Sequence, residues 1–186
     1  MTWLDFRRLL SNRANLRQGL PLLAACMAAL ALAACGGSSK TTTTPNRAIP
    51  VAVTPAQLKS IARSAGHPIY WAGPARGTYE LTTIADGRTY IRYLPPGIPV
   101  GDPSLRLTIG TYVRPSPPFE SVRSAAAKRH AVVKTMKDGS LAVQYPGRPS
   151  SVYLVFPGAL YEVEVYDPNP ATALRLATTG KVVPIH

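Results

Sequence analysis

The chain has 186 residues, of which 46% are hydrophobic, so its composition is that of a globular protein with room for one or two small domains. Lysine and arginine outnumber aspartate and glutamate by 21 to 9, an excess that favours anionic partners. Both cysteines precede residue 36, so we expect no disulfide, thiolate metal site or cysteine nucleophile in the rest of the chain.

The N-terminal segment has the pattern of an export signal. Residues 1–19 are basic and polar, and residues 20–34 form an uncharged apolar run that ends in small residues. This run is shorter than the roughly 20 residues that a membrane-spanning helix needs. The segment closes with Leu32-Ala33-Ala34-Cys35, which resembles the lipobox of bacterial lipoproteins.

The resemblance implies how the N-terminus is processed. Residues 1–34 would be a signal peptide, cleaved between Ala34 and Cys35, and Cys35 would carry the acyl anchor. The domain would then be held at the extracytoplasmic face of the bacterial cell membrane. The alternatives are lipidation at Cys26, which ends a second such tetrad, or an unlipidated signal or uncleaved anchor. The pair Arg7-Arg8 leaves both the Sec and the twin-arginine export routes open.

Residues 35–50 are predicted to be a lipidated N-terminus followed by a flexible linker, because they are rich in glycine, serine, threonine and proline. Residues 51–186 are predicted to form the extracytoplasmic domain. The chain from Cys35 onwards carries a net charge of +9.

The domain begins with a predicted helix. Thr54 and Gln57 have the spacing of a capping box, Pro55 occupies the first helical position, and Gly66 is a stop signal. Three hairpins are predicted where β-rich segments flank Asp-Gly or Pro-Gly turns. Their strands are 78–84 with 88–94, 131–136 with 140–145, and 152–156 with 160–166. The other predicted elements are strands at 69–71, 105–111 and 181–185 and helices from Ser116-Pro117 to Lys128 and from Asn169-Pro170 to Gly180.

Hairpins that follow one another without intervening helices indicate an α+β fold, with a mainly antiparallel sheet and about three helices packed on one face. Two short sequence motifs, an Asp-Gly pair and a proline motif, each recur at a similar spacing. Asp86-Gly87 reappears 52 residues later as Asp138-Gly139, and the proline motif at 114–117 reappears 53 residues later at 167–170. The spacing suggests an internally duplicated unit of four strands and a helix. The alternative is a single mixed sheet with ordinary turns.

Few residues suggest chemistry. His67, His130 and His186 have no second ligand at metal-binding spacing, so we expect no metal and no cofactor. Glu162 and Glu164 lie two apart on a predicted strand and face the same side. They would suit acid–base catalysis, but the interpretation we favour is a solvated strand face. We therefore assign no catalytic residue.

Arg88, Tyr90 and Arg92 alternate along a predicted strand and so share one face. Such a face could contact an anionic or carbohydrate ligand. The favoured alternative is that the tyrosines pack half-buried while the arginines extend to solvent.

The sequence predicts a non-enzymatic binding or envelope-interaction module. Its expected partners are the bilayer, through Cys35, and an anionic wall polymer, a carbohydrate or another envelope protein. We expect no nucleic-acid partner, because the domain is exported. The alternative is an envelope enzyme of the hydrolase type.

Overall fold

The computed structural model describes residues 48–186 of the chain. The predicted signal peptide, its cleavage site, Cys26, Cys35 and nearly all of the linker lie outside these residues. The predicted domain, 51–186, lies entirely within them. Among the described residues, none of the helices is long and apolar enough to cross a membrane.

Three helices and ten strands make up the described part of the chain, as expected for the α+β class. The helices are α1 (Pro55–Ser64), α2 (Phe119–Lys128) and α3 (Pro170–Thr178). The strands are β1 (Val51–Val53), β2 (Tyr70–Trp71), β3 (Thr78–Thr83), β4 (Thr89–Leu94), β5 (Thr108–Val113), β6 (Val132–Thr135), β7 (Leu141–Gln144), β8 (Ser151–Val155), β9 (Tyr161–Tyr166) and β10 (Val183–Pro184).

Eight of these strands form one antiparallel sheet in the order β1-β3-β4-β5-β9-β8-β7-β6. The three predicted hairpins are confirmed, since β3 pairs with β4, β6 with β7 and β8 with β9. The predicted final edge strand is β10, which pairs with β2 in a separate two-stranded sheet.

Two helices begin where the sequence predicts. At α1, the Thr54 hydroxyl accepts a hydrogen bond from the Gln57 backbone N–H (3.2 Å), and the Gln57 side chain accepts one from the Thr54 N–H (2.8 Å). This reciprocal pair satisfies two of the N–H groups that a helix start leaves open. At α3, the Asn169 side chain accepts from the N–H groups of Ala171 and Thr172.

The predicted start of α2 is wrong. The helix begins at Phe119 rather than at Ser116-Pro117, and its N-cap is Pro118, which makes no side-chain cap. Residues that precede a proline avoid the α conformation. Because Ser116 and Pro117 both precede prolines, the helix starts only after the second of these prolines.

Strand β5 also differs from the prediction of 105–111, since it spans Thr108–Val113. Residues before it form a loop held by Arg92, whose guanidinium donates to the carbonyl oxygens of Asp102 (2.7 Å) and Ser104 (3.2 Å). The alternating pattern of 105–107 therefore belongs to a loop that a side chain holds in place.

The main sheet has an apolar face covered by α1, α3 and the β2/β10 pair. Leu81, Ile91, Ile109, Val165 and Val152 form one row on this face, across five neighbouring strands. All five side chains are buried. Removal of such side chains from water supplies the main driving force for folding.

The expectation that all helices share one face is wrong. Ala126 of α2 packs against Leu141, Val143 and Val155, which alternate with the apolar row and therefore lie on the opposite face. Only the β7–β8 end of that face carries such apolar partners for a helix. The rest of this face carries charged groups, hydroxyl groups and tyrosines. We call the whole of this face, opposite to the apolar one, the polar face.

The sheet order is symmetrical about the β5–β9 pair, with β1-β3-β4-β5 on one side and β6-β7-β8-β9 on the other. Strand β5 leads into α2 and β9 into α3, so the two proline motifs hold equivalent places. The Asp-Gly pairs do not, because Asp86-Gly87 joins β3 to β4 whereas Asp138-Gly139 joins β6 to β7. Helix α1 and strand β2 also interrupt the first half, and α2 and α3 pack on opposite faces. The internal duplication therefore stays a prediction.

Candidate functional site

The polar face places a carboxylate among hydroxyl groups near the middle of the sheet. Strand register aligns Tyr90 of β4, Gly110 of β5, Glu164 of β9 and Tyr153 of β8 in one row. Glu164 is only 8% exposed. A buried carboxylate requires hydrogen-bond partners, and these determine what the site can do.

Three hydroxyl groups supply those partners. Tyr112 donates to Oε2 of Glu164, and Ser151 donates to Oε1 at 2.6 Å. The Tyr153 hydroxyl lies 3.4 Å from the same Oε1. Hydrogen bonds to a charged acceptor are about twice as strong as neutral ones. Glu164 is therefore held in one orientation by neighbours on the two strands that flank β9, with Tyr112 on β5 and Ser151 and Tyr153 on β8.

Gly110 makes the Tyr112 contact possible. A Cβ atom at Gly110 would lie 2.9 Å from Cε2 of the Tyr112 ring and 3.3 Å from its hydroxyl oxygen. Real Cβ atoms rarely approach other atoms so closely. The absence of a side chain on β5 at this point lets Tyr112 lean across the strand toward Glu164 on β9.

The tyrosines of this face retain their protons at neutral pH. Burial, followed by the charge of Glu164, raises the pKa of Tyr112 far above its usual value. The same two causes, in the same order, raise the pKa of Tyr153 to about 12. Burial also raises the pKa of Tyr90 and of Tyr145. At neutral pH all four phenols are therefore hydrogen-bond donors.

Aromatic rings connect these residues across the sheet. The rings of Tyr90 and Tyr112 meet edge to face with centroids 5.6 Å apart, and those of Tyr145 and Tyr153 are 5.9 Å apart. We call Tyr90, Tyr112, Tyr153 and Tyr145 the tyrosine row. Glu164 lies between its two halves and is hydrogen-bonded to both.

An arginine accompanies each member of the tyrosine row. The guanidinium of Arg114 lies 5.6 Å from the centroid of the Tyr112 ring, and that of Arg129 lies 5.7 Å from the Tyr145 ring. Cations at this distance are attracted by the aromatic quadrupole.

The other two arginines, Arg88 and Arg148, interact with the hydroxyl groups of Tyr90 and Tyr153. The pKa of Tyr90 is raised mainly by burial, and its hydrogen bond with Tyr112 and the charge of Arg88 oppose that rise. Arg148 opposes the rise at Tyr153 in the same way. The tyrosine row is thus bordered by four guanidinium groups, whereas only two carboxylates, Glu162 and Glu164, lie among its rings.

Glu162 occupies the same strand as Glu164 and the same face. Its side chain is 9% exposed and accepts a hydrogen bond at Oε1 from Arg114. Our favoured interpretation of Glu162 and Glu164 as a solvated strand face is wrong. They do share a side, as predicted, but tyrosines, Ser151 and Arg114 close over them.

Beside Glu162 the polar face opens into a cleft of about 300 Å³. It lies between the sheet and the beginning of α2. Its polar walls come from Arg114, Glu162, Ser116 and Ser121. Its lining comes from the segment between β5 and α2, the first turn of α2 and the start of β9.

The predicted ligand surface, formed by Arg88, Tyr90 and Arg92, lies on the same polar face but around β4, toward the β1 edge of the sheet. Arg92 forms a salt bridge with the buried Glu80 (2.7 Å). Its side chain therefore stabilises both the β3–β4 pair and the loop before β5. Arg88 pairs with Asp86 (2.7 Å), and Tyr90 is buried. The three side chains share one face, as the alternation predicts, and ligand binding by them stays a prediction.

Sequence reasoning noted Tyr112 and Arg114 only as members of a tyrosine- and arginine-rich stretch, and it missed Tyr153 and Ser151. One signal was available: Gly110 interrupts a strand pattern, and glycine inside a strand often marks a close approach by another group.

The histidines lie apart from the tyrosine row. Nδ1 of His67 is 3.1 Å from the carbonyl oxygen of Pro68, and His130 ends α2 with a positive φ of 51°. Among residues 48–186, no three histidine, aspartate or glutamate side chains lie close enough together to hold a metal ion.

Comparison of the chain with protein-family models, with curated protein sequences and with solved structures finds no significant match in any of the three.

Proposed function

We propose that this chain is a secreted bacterial lipoprotein whose domain is a non-enzymatic binding module for an acidic polysaccharide of the cell envelope. The apolar run and Leu32-Ala33-Ala34-Cys35 support export and acylation at Cys35. The linker that follows would hold the polar face close to the surface of the membrane or wall.

The tyrosine row with its four arginines is the observation that carries this proposal. Sugar rings present apolar C–H faces that can stack on the half-buried rings of Tyr145 and Tyr153, whereas Tyr90 and Tyr112 lie buried beside them.

Acidic groups on the sugars attract guanidinium groups. Asp86 pairs with Arg88, so four guanidinium groups stand against three carboxylates and leave this part of the surface with one net positive charge. The net charge of +9 from Cys35 onwards favours encounter with a polyanion.

The fixed arrangement of the carboxylates also supports binding. Both oxygens of Glu164 accept hydrogen bonds from the protein, and Glu162 is paired with Arg114. Side chains held in this way lose little conformational freedom when a ligand arrives, which lowers the cost of binding.

Equilibrium binding of the full-length chain in detergent micelles to polygalacturonate tests the proposal, with dextran as the uncharged comparison. We expect the acidic polymer to bind more tightly than dextran and its affinity to fall at high salt. Replacing Arg129 and Arg148 by glutamine should weaken binding at least threefold, as about 0.7 kcal/mol for two charges implies.

The matched control removes two other arginines. Arg63 lies on α1 and Arg175 on α3, both exposed and on the helices that cover the opposite face. Replacing both by glutamine changes the net charge equally and should leave affinity within about twofold if the polar face is responsible. An equal loss of affinity in both double variants would mean that only the net charge of the protein matters, and it would contradict a specific site on the polar face.

A second candidate is an envelope glycoside hydrolase, favoured by the buried pair Glu162 and Glu164. Residues two apart on a strand lie roughly 6.6 Å apart, within the range of paired catalytic carboxylates. New reducing ends formed from polygalacturonate, and lost in both Glu162→Gln and Glu164→Gln, would establish this candidate in place of the binding module.

A further inference from the structure

The cleft beside Glu162 has the chemistry of a subsite for one neutral, hydroxylated group. We infer that it binds a single sugar residue, with Glu162 accepting a hydrogen bond from one hydroxyl group and Arg114 donating to a neighbouring oxygen. This inference rests on the proposed function, since it names where a neutral sugar unit of a polysaccharide that also carries acidic units is held.

The acceptor is the second oxygen of Glu162. Its first oxygen, Oε1, takes the hydrogen bond from Arg114, and within residues 48–186 Oε2 accepts none. The side chain is otherwise buried, and the cleft is lined by Glu162. Among the described residues, Oε2 of Glu162 is not one of the buried atoms without a partner, so it is reached from the cleft and can accept a hydrogen bond from a ligand hydroxyl group.

The donor is Arg114, whose side chain is 43% exposed. A guanidinium group has five N–H donors, and only one of those of Arg114 is used by Glu162. Its Cζ lies 5.6 Å from the centroid of the Tyr112 ring, and this cation–π contact helps to hold the guanidinium group in place. The unused donors can therefore reach a ligand in the cleft with little loss of side-chain entropy.

The remaining walls suit a sugar ring. Pro115, Pro118 and Val122 offer apolar surface for its C–H groups, and Ser116 and Ser121 offer hydroxyl groups. The Ser121 hydroxyl donates to the Pro118 carbonyl oxygen at 2.8 Å, so its own oxygen is oriented as an acceptor. A volume of about 300 Å³ is at the lower end for ligand pockets and fits one ring.

The paired charges select against ionic occupants. A phosphate or carboxylate group entering the cleft would approach the carboxylate of Glu162, and an ammonium group would approach Arg114. Like charges at contact distance repel strongly when partly shielded from water. A hydroxylated group avoids both penalties and uses both partners.

Methyl α-glucopyranoside, a single uncharged sugar residue, is the probe for this subsite. Its binding to the full-length chain in micelles is measured by saturation-transfer NMR for wild type, Glu162→Gln and Glu120→Gln. Glu120 is the control because it lies exposed on α2, in an ion pair with Arg123 outside the cleft. Far-UV circular dichroism and thermal melting verify that each variant is folded.

We expect wild type and Glu120→Gln to bind the glucoside equally and Glu162→Gln to bind at least tenfold more weakly. Inorganic phosphate should not compete. Equal binding by Glu162→Gln, no binding by wild type, or displacement of the glucoside by phosphate would each overturn the inference.

Parallel titration with polygalacturonate separates this inference from the proposed function. If polygalacturonate, every unit of which is acidic, binds wild type but the glucoside does not, the binding module stands and the neutral subsite falls. If the glucoside binds in the cleft but the polymer does not bind at all, the cleft is a sugar site, and the proposal that the domain binds an acidic polysaccharide is wrong.

Discussion

Tyr112 leans over Gly110, two residues earlier in the same strand, so closely that a Cβ atom at Gly110 would lie 2.9 Å from its ring. This approach carries the Tyr112 hydroxyl to Glu164 on the neighbouring strand. The conformation of the polar face therefore depends on a residue that has no side chain.

Gly110→Ala should displace the Tyr112 ring and weaken its hydrogen bond to Glu164. We expect a loss of about 1–2 kcal/mol in the free energy of unfolding, measured by urea denaturation, although alanine is otherwise better than glycine in a strand. Gly147→Ala is the matched control, because nothing lies within 4 Å of its added Cβ. Equal stability of the two variants would show that Tyr112 has room elsewhere.

Tyr112→Phe should remove one of the hydrogen bonds on the buried carboxylate of Glu164. Loss of a hydrogen bond to a charged group costs about 1.5–3 kcal/mol. The control is Tyr145→Phe, because the Tyr145 hydroxyl makes no hydrogen bond within the described residues. Chemical denaturation of both variants measures the difference, and a Tyr112→Phe protein as stable as Tyr145→Phe would mean that Glu164 does not need this donor.

The buried phenols should make the fold sensitive to alkali. The pKa of Tyr153 rises from 10.0 to about 12 on folding, so its contribution to stability is complete below pH 10 and is lost as the pH rises through 12. Tyr112 and Tyr90 act in the same direction. Unfolding free energy should fall steadily above about pH 10.

Absorbance at 295 nm follows phenol ionisation during the same titration. We expect part of the signal from the nine tyrosines to appear only when the near-UV circular dichroism signal is lost. Complete ionisation near pH 10 in a chain that is still folded would contradict the burial of the tyrosine row.

The N-terminal prediction needs its own measurement, since the structure describes none of these residues. Mass spectrometry of the mature chain should find an acylated Cys35 as the first residue. Cys35→Ala should leave an uncleaved or soluble precursor, whereas Cys26→Ala should be processed normally. Any other N-terminus, or acylation at Cys26, would contradict the assignment.

The sequence was sufficient for the local elements of this fold. Capping by Thr54 and Asn169 and the Asp-Gly turns act within a few residues, so their patterns predict helix starts and hairpins directly. The start of α2 was misplaced because two consecutive prolines moved it. The face on which α2 packs depends on Val143 and Val155, more than a dozen residues further along the chain, which no local pattern reveals.

Most of the candidate site could not be predicted from the sequence. Alternation placed Glu162 and Glu164 on one face correctly, but their burial depends on Tyr112, Ser151 and Arg114 from neighbouring strands. The contacts of Tyr112 and Arg114 follow from the pairing of β5 with β9, which are about 50 residues apart, whereas that of Ser151 follows from the β8–β9 hairpin. The proposed ligand surface of Arg88, Tyr90 and Arg92 came from adjacent positions alone and could not show that Arg92 is used by Glu80.

Fluorine NMR of the full-length chain labelled with 3-fluorotyrosine measures directly which face of the sheet meets an acidic oligosaccharide. Single tyrosine-to-phenylalanine variants assign the resonances. With oligogalacturonate we expect the signals of Tyr145 and Tyr153 to shift and saturate, while Tyr70 and Tyr161, which belong to the opposite side, stay within experimental error. Shifts confined to Tyr70 and Tyr161, or unmoved signals from Tyr145 and Tyr153 at saturating ligand, would contradict binding at the polar face.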